Sequence, residues 1–318
     1  MTKQLARANP GCLASCIPLL FLLGCATSTT VVPVNTAPVE APLAAEVPFV
    51  PPSPLGPIVA PGQVKELVPG GVIDWSGKTV WSRGAGILDP GNANREQARE
   101  MAERAAAVVA QRNLLEIIKG IRVDSDTRIQ DLMAGNDTVY LRVEAVVRGA
   151  RQRGPARYDS LAGTVEVELE CDLCGEGGIE SAVAPPVVGP EAAQAAALSP
   201  AAQELLRQYS VLVLDGGSTG LKPALFPKLY DDGGALLLDP REPGRAGWTH
   251  LVQYVGSLDQ IPLSPGAGQP MVFWVREARG RLGSDIVVRR ADASVLREAR
   301  DGLEFLLKTD RVIIRLAQ

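Results

Sequence analysis

Apolar and polar positions along the chain change their period several times, and each period predicts an element. Residues 72–87, with Val72-Ile73-Asp74-Trp75 and Thr79-Val80-Trp81 on either side of Ser76-Gly77, read as a strand or hairpin turning at that pair. A long helix is expected next. Asn94 is placed to cap it and Gln97 stands at the capping-box position. Ala98, Met101, Ala102, Ala105, Val108, Val109, Arg112 and Leu115 recur at helical spacing until Gly120 ends it. This Ala-rich stripe is expected to lie close against a sheet. After a short helical piece at 129–133, Val139, Leu141, Val143, Ala145 and Val147 alternate with Tyr140, Arg142, Glu144 and Arg148, which predicts a half-buried strand. Its expected antiparallel partner is 164–170, where Val165, Val167 and Leu169 alternate with Glu166, Glu168 and Glu170, so that Arg142 and Arg148 would face the glutamates.

The pattern weakens over 175–199, a Gly-, Pro- and Ala-rich stretch expected to be a linker with few contacts across it. Beyond it, Ser199-Pro200 opens a short helix through Gln208, 211–214 is a buried strand, and 271–275, 285–289 and 312–316 are further strands. A helix capped by Asp292 is expected to run through Leu307 with Val295, Ala299, Leu303 and Leu306 as its core stripe. The fold class expected is therefore α+β: one domain over 70–174 and a second small α+β domain over 200–318.

Residues 26–69 show neither period. Prolines are spread from Pro33 to Pro69 among Val, Ala and Thr with almost no charge, which reads as a disordered tether over 25–69. Before it, Lys3 and Arg7 precede a short apolar run that ends in Leu22-Leu23-Gly24-Cys25. This resembles a bacterial lipoprotein signal, residues 1–24, with its lipobox, and the resemblance implies that Cys25 becomes the acylated first residue. The run is too short to span about 30 Å of hydrocarbon. Ala26 after the acylated Cys25 resembles outer-membrane sorting, so the expected location is the periplasmic side of that membrane. Removing 1–24 takes two cations and no anions from a chain of net charge -4, leaving -6, which argues against nucleic acid as a partner.

Little here suggests chemistry. His250 is the single histidine, and its apolar neighbours suggest a strand, so a hydrolase built on it and Asp215 is a distant expectation. Gly216-Gly217-Ser218-Thr219-Gly220 lacks the Lys-Ser/Thr of a phosphate-binding loop. Cys171 and Cys174 form one Cys-x-x-Cys without a second ligand pair for zinc, so a local disulfide or two idle thiols is expected. Asp231-Asp232 before Gly233 reads as a turn. No catalytic residue, metal, cofactor or small-molecule substrate is indicated.

Ala98, the run Glu103-Arg104-Ala105-Ala106, the stretch from Arg112 to Val123, and the pieces 147–151 and 163–167 together resemble the Lpp20-like family of outer-membrane lipoproteins, to which the flagellar lipoprotein FlgP belongs. The resemblance covers about 70–174. It implies a strand-helix-strand-strand domain of SHS2 type and an assembly role, rings around the flagellar motor in the case of FlgP. Residues 212–233 resemble a segment of uncharacterised proteobacterial lipoproteins, from which no activity follows. The function expected is a non-catalytic outer-membrane lipoprotein with a structural role, self-associating or docking on an envelope assembly. The alternative is a periplasmic module that binds peptidoglycan, glycan or an envelope protein, with Trp248, Tyr254 and Trp274 as stacking aromatics.

Overall fold

Three strands lead into the long helix. In the computed structural model the described residues are 62–175, 177–185, 198–217, 219–241, 252–261, 268–299, 302, 306 and 311–317. Strands β1 (Lys65–Val68), β2 (Gly71–Asp74) and β3 (Thr79–Ile87) form an antiparallel meander. The hairpin at Ser76-Gly77 is present, closed by the Gly77 N–H donating to Asp74 Oδ1 at 2.6 Å. β1 lies inside the stretch expected to be tether, because Leu67 and Val68 find a partner in β2 that composition alone cannot reveal.

Helix α1 (Arg95–Gly120) has the expected bounds, and Asn94 caps it by accepting from the Gln97 N–H at 3.1 Å. Its buried face is only partly the expected one. Ala98 and Ala102 face inward, but the line continues through Ala106, Ala110, Leu114, Ile117 and Ile118. Met101, Ala105, Val108 and Val109 are exposed. The sheet selects the line whose side chains are small enough to let two backbones meet. A Cβ on Gly84 of β3 would lie 2.1 Å from the Ala106 carbonyl oxygen, and one on Gly86 would lie 2.0 Å from that of Ala102. Ser82, fully buried on the same strand face, donates to the Ala110 carbonyl at 2.7 Å.

The predicted strand at 139–147 is helix α3 (Asp137–Arg148), reached through α2 (Ile129–Gly135). Val139, Val143 and Val147 turn inward. Positions four apart satisfy a helical stripe and a two-residue alternation alike, and Asn136, accepting from the N–H groups of Thr138 and Val139, decides for the helix.

Strand β6 (Thr164–Asp172) therefore pairs with β3 along its whole length, from Thr79 opposite Asp172 to Ile87 opposite Thr164. Two short strands, β4 (Arg151–Gln152) and β5 (Arg157–Asp159), pair with its other edge. The expected alternation in β6 holds, with valines, Leu169 and Cys171 inward. The arginines that meet its glutamates are Arg83, Arg151, Arg153 and Arg157. Arg148 instead pairs with Glu144 on its own helix.

A short helix, α4 (Ile179–Val183), lies within the expected linker and buries Ile179, Ala182 and Val183. After α5 (Pro200–Gln208), capped by Ser199 as expected, come β7 (Tyr209–Asp215), β8 (Leu229–Asp231), β9 (Leu236–Leu238), β10 (Gln253–Val255), β11 (Gln269–Arg279), β12 (Asp285–Val288), α6 (Arg290–Glu298) and β13 (Val312–Arg315). These strands form a seven-stranded sheet in the order β10-β13-β7-β11-β12-β8-β9, with β13 and β11, the neighbours of β7, both parallel to it. Helix α6 begins after Arg289 rather than at Asp292, which sits in its first turn. Ala293 and Leu296 are buried while Val295 is exposed. Ala299 and Leu306 are buried as expected, and Leu303 lies outside the described residues.

The protein is thus α+β with two sheets. The expectation of few contacts between the halves does not hold. One buried cluster runs from Val64 and Trp75 through α1 to Leu225, Ile286 and Ile314. The loop after α1 reaches into the second half: the N–H groups of Leu225 and Phe226 donate to the carbonyls of Arg122 and Val123 at 2.9 and 2.7 Å, and Leu282 N–H donates to Ser125 O at 2.8 Å. The buried Ser125 hydroxyl donates to the buried Asp285 carboxylate at 2.7 Å. Trp75 meets Tyr254 edge-on with ring centres 5.6 Å apart. Apolar residues on both sides needed cover, and each half supplies it to the other.

Candidate functional site

Cys25, His250 and Trp248 lie outside the described residues. Among the described residues, no helix is long and apolar enough to cross a membrane.

Cys171 and Cys174 are thiols, not joined. Cys171 ends the inward row of β6, and burial pushes its thiol up to about 12, so it is not a nucleophile at neutral pH. It borders a groove of about 500 Å³ between α3, α4 and the end of β6, whose charged walls are Arg142, Arg151, Glu170 and Asp172. Arg151 donates twice to Asp172, at 2.8 and 2.9 Å, and this guanidinium holds the carboxyl of Asp172 below its ordinary value. The acids of β6 are matched by arginines along the outer face of the sheet. Arg83 and Arg157 reach Glu168 at 3.1 and 2.8 Å, and Arg153 lies over the Trp81 ring, 4.9 Å from its centre. The face is a neutralised ladder rather than an acidic strip.

Of the expected aromatics, Tyr254 is core. It donates to the Ala224 carbonyl at 2.8 Å, accepts from the Ala224 N–H, and burial pushes its hydroxyl well above its ordinary value. Trp274 is 60% exposed on β11, so the two do not form a common platform. Asp215 closes β7, buried, with Oδ1 accepting from Arg315 at 2.7 Å and from the Gly217 N–H at 3.0 Å. Its partner Arg315 is a hundred residues away on β13, and no sequence signal joins the pair. Asp231 makes the expected turn, accepting from the N–H groups of Gly233 and Ala235 at 2.9 and 2.7 Å, and it pairs with Arg297.

The surface feature that the fold does not explain is the outward side of α1. Met101 is 59% and Val108 48% exposed, with Ala105 and Val109 beside them, one to two turns apart along a single side. The helix thus carries two apolar lines, and its own sheet uses one.

Seen as a whole, the second half is a small α+β domain whose mixed sheet is parallel at its centre. Residues 211–318 match the family described as Treponema pallidum Tp0624, second domain. The match supports an additional C-terminal domain and lies wholly outside 70–174, so the Lpp20-like resemblance draws nothing from it. No curated protein matches the chain.

Proposed function

We propose that this chain is a non-catalytic lipoprotein, held by acyl chains on Cys25 at the periplasmic face of the outer membrane, whose Lpp20-like half assembles with further copies of itself. The observation that carries the reading is the outward stripe Met101, Ala105, Val108 and Val109 on α1. A helix that serves only its own sheet needs one apolar side, and exposed apolar patches on soluble domains mark contact surfaces. The occupant is a second copy because the resemblance of 70–174 implies self-assembly, and because the rigid glycine-packed seat of α1 presents the same stripe on every copy. Multiple acyl chains at one cysteine give nearly permanent attachment, since each buried CH₂ contributes about 0.8 kcal/mol.

Sedimentation velocity of the full-length protein in detergent tests the assembly. The parent is expected to form oligomers, and Val108→Glu to shift them toward monomer without a change in melting temperature. A parent that stays monomeric at every concentration, or a variant that assembles as the parent does, overturns the reading. Anchoring is read separately: Cys25→Ala is expected to leave the outer-membrane fraction after a salt wash, and retention there would remove the lipid anchor.

A further inference from the structure

We propose that the carboxyl end of the parallel strands in the second sheet is a saccharide-binding site formed by Trp274 and Arg315, with Asp215 as the residue that positions the guanidinium. The register brings them together. Trp274 of β11 pairs with Asp215 of β7, and Asp215 pairs with Arg315 of β13, in parallel on both sides. In-register neighbours in a parallel sheet point to the same face about 4.8 Å apart per strand. All three side chains therefore stand in one row across the sheet. It is the face whose earlier rungs are the buried Val211, Val213 and Ile313. Asp215 and Arg315 end β7 and β13, and the parallel pairing of β11 ends at Trp274 although that strand runs on to Arg279; in open sheets with parallel strands, ligands bind outside the carboxyl ends of those strands.

Each member of the row is unusual for a purely structural role. Trp75 and Trp81 are buried, whereas Trp274 leaves most of its indole in water. Arg315 spends one Nη1 donor on Asp215 and keeps its side chain 30% exposed, while its Nε is buried without a hydrogen-bond partner. Asp215 is almost fully buried, and its Oδ2 is likewise without a partner. A buried carboxylate with one oxygen unanswered is costly to keep in a fold. Here it fixes a guanidinium that the fold has no other reason to hold at the end of the sheet. Gly217 makes room: a Cβ there would come within 2.4 Å of Arg315 Nη1.

The chemistry selects the ligand. A pyranose ring offers a face of C–H groups that stacks on an indole, edged by hydroxyl or acetamido oxygens that accept from a guanidinium. An acyl chain or apolar peptide would bury the donors of Arg315 unanswered. A free anion would gain little from a guanidinium already neutralised by Asp215. The ligand class is therefore an uncharged sugar unit of a glycan. The site rests on β7, β11 and β13 and is independent of the α1 stripe, so either can fail without the other.

The test is isothermal titration of the full-length protein, in a non-sugar detergent, with chitotetraose as the probe. Binding is expected with a dissociation constant of about 1 mM or tighter, weakened about tenfold or more in Trp274→Ala and in Arg315→Gln, and retained within about threefold in Trp274→Phe. Trp274 is exposed, so Trp274→Ala is expected to melt with the parent. Absence of binding by the parent at about 10 mM probe, or equal binding by parent and Trp274→Ala, overturns the site.

Discussion

The contact between α1 and β3 makes a sharp demand on two adjacent alanines. Ala106 is completely buried against Gly84, while Ala105 points to water. Ala106→Asp places a carboxylate inside the buried apolar cluster, at a cost of several kcal/mol, whereas Ala105→Asp is expected to be close to neutral. Gly84→Ala attacks the same contact from the strand. The new Cβ would lie 2.1 Å from the Ala106 carbonyl oxygen and 2.3 Å from the Ala110 nitrogen, where ordinary contact begins near 3.4 Å. Both obstacles are backbone, so the helix must move out by more than 1 Å and loosen Ser82 from Ala110. Such overpacking costs about 1–3 kcal/mol. For a folded region of this size each kcal/mol is about 2–4 °C, so a fall in melting temperature of about 2–12 °C is expected. Thermal melting followed by circular dichroism of the parent and three variants reads all of this at once. Gly84→Ala melting within about 1 °C of the parent, or Ala105→Asp melting lower than Ala106→Asp, would refute the seating of the helix.

Because the two halves share one core, unfolding is expected as a single calorimetric transition, and Asp285→Ala is expected to lower it by stranding the Ser125 hydroxyl and the Lys228 N–H that now donate to that carboxylate. Two well-separated transitions in the parent would contradict this. Asp231 is held below its ordinary value of 3.8, first by the backbone N–H of Ala235 and then by Arg297. Its contribution to stability is therefore present above that value and lost as pH falls through the lower folded one. Asp231→Asn should be less stable than the parent at pH 7 and converge with it in acid; a gap that persists or widens in acid would reverse the sign. Iodoacetamide at neutral pH is expected to label Cys174 and spare Cys171 in the folded protein, since Cys171 is buried and its thiol is raised to about 12; peptide mapping that finds Cys171 labelled at the rate of Cys174 would count against that.

The long helix, the β6 alternation and the hairpin were legible because local patterns specify them: a cap at Asn94, strict two-residue alternation, and a turn at Ser76-Gly77. What failed depends on partners distant in the chain. The buried line of α1 could not be chosen between two apolar stripes without knowing that Gly84 and Gly86 lie opposite. The segment 139–147 satisfied both periods, and the capping asparagine at 136 was the signal available to break the tie. Pairing across 175–199 was invisible because it runs through a loop, 122–126, whose polar composition gives no hint of burial. At the end of the second sheet, Asp215 and Trp274 were visible as residues but not as neighbours, because only register sets them beside Arg315.

The hydrogen bonds around Gly62, the first of the described residues, have a mechanical consequence. Gly62 O accepts from the Gly256 N–H at 2.8 Å, Val64 O accepts from the Trp75 N–H at 3.0 Å, and Val64 N–H donates to the Ser76 hydroxyl, which in turn donates to Tyr254 O. If the N-terminus is anchored as proposed, tension reaching Gly62 would load both sheets together at the junction before it could peel β1 from its edge. Force would be shared by the whole block rather than spent on unravelling one strand, which is what the proposed anchored assembly would require of each copy.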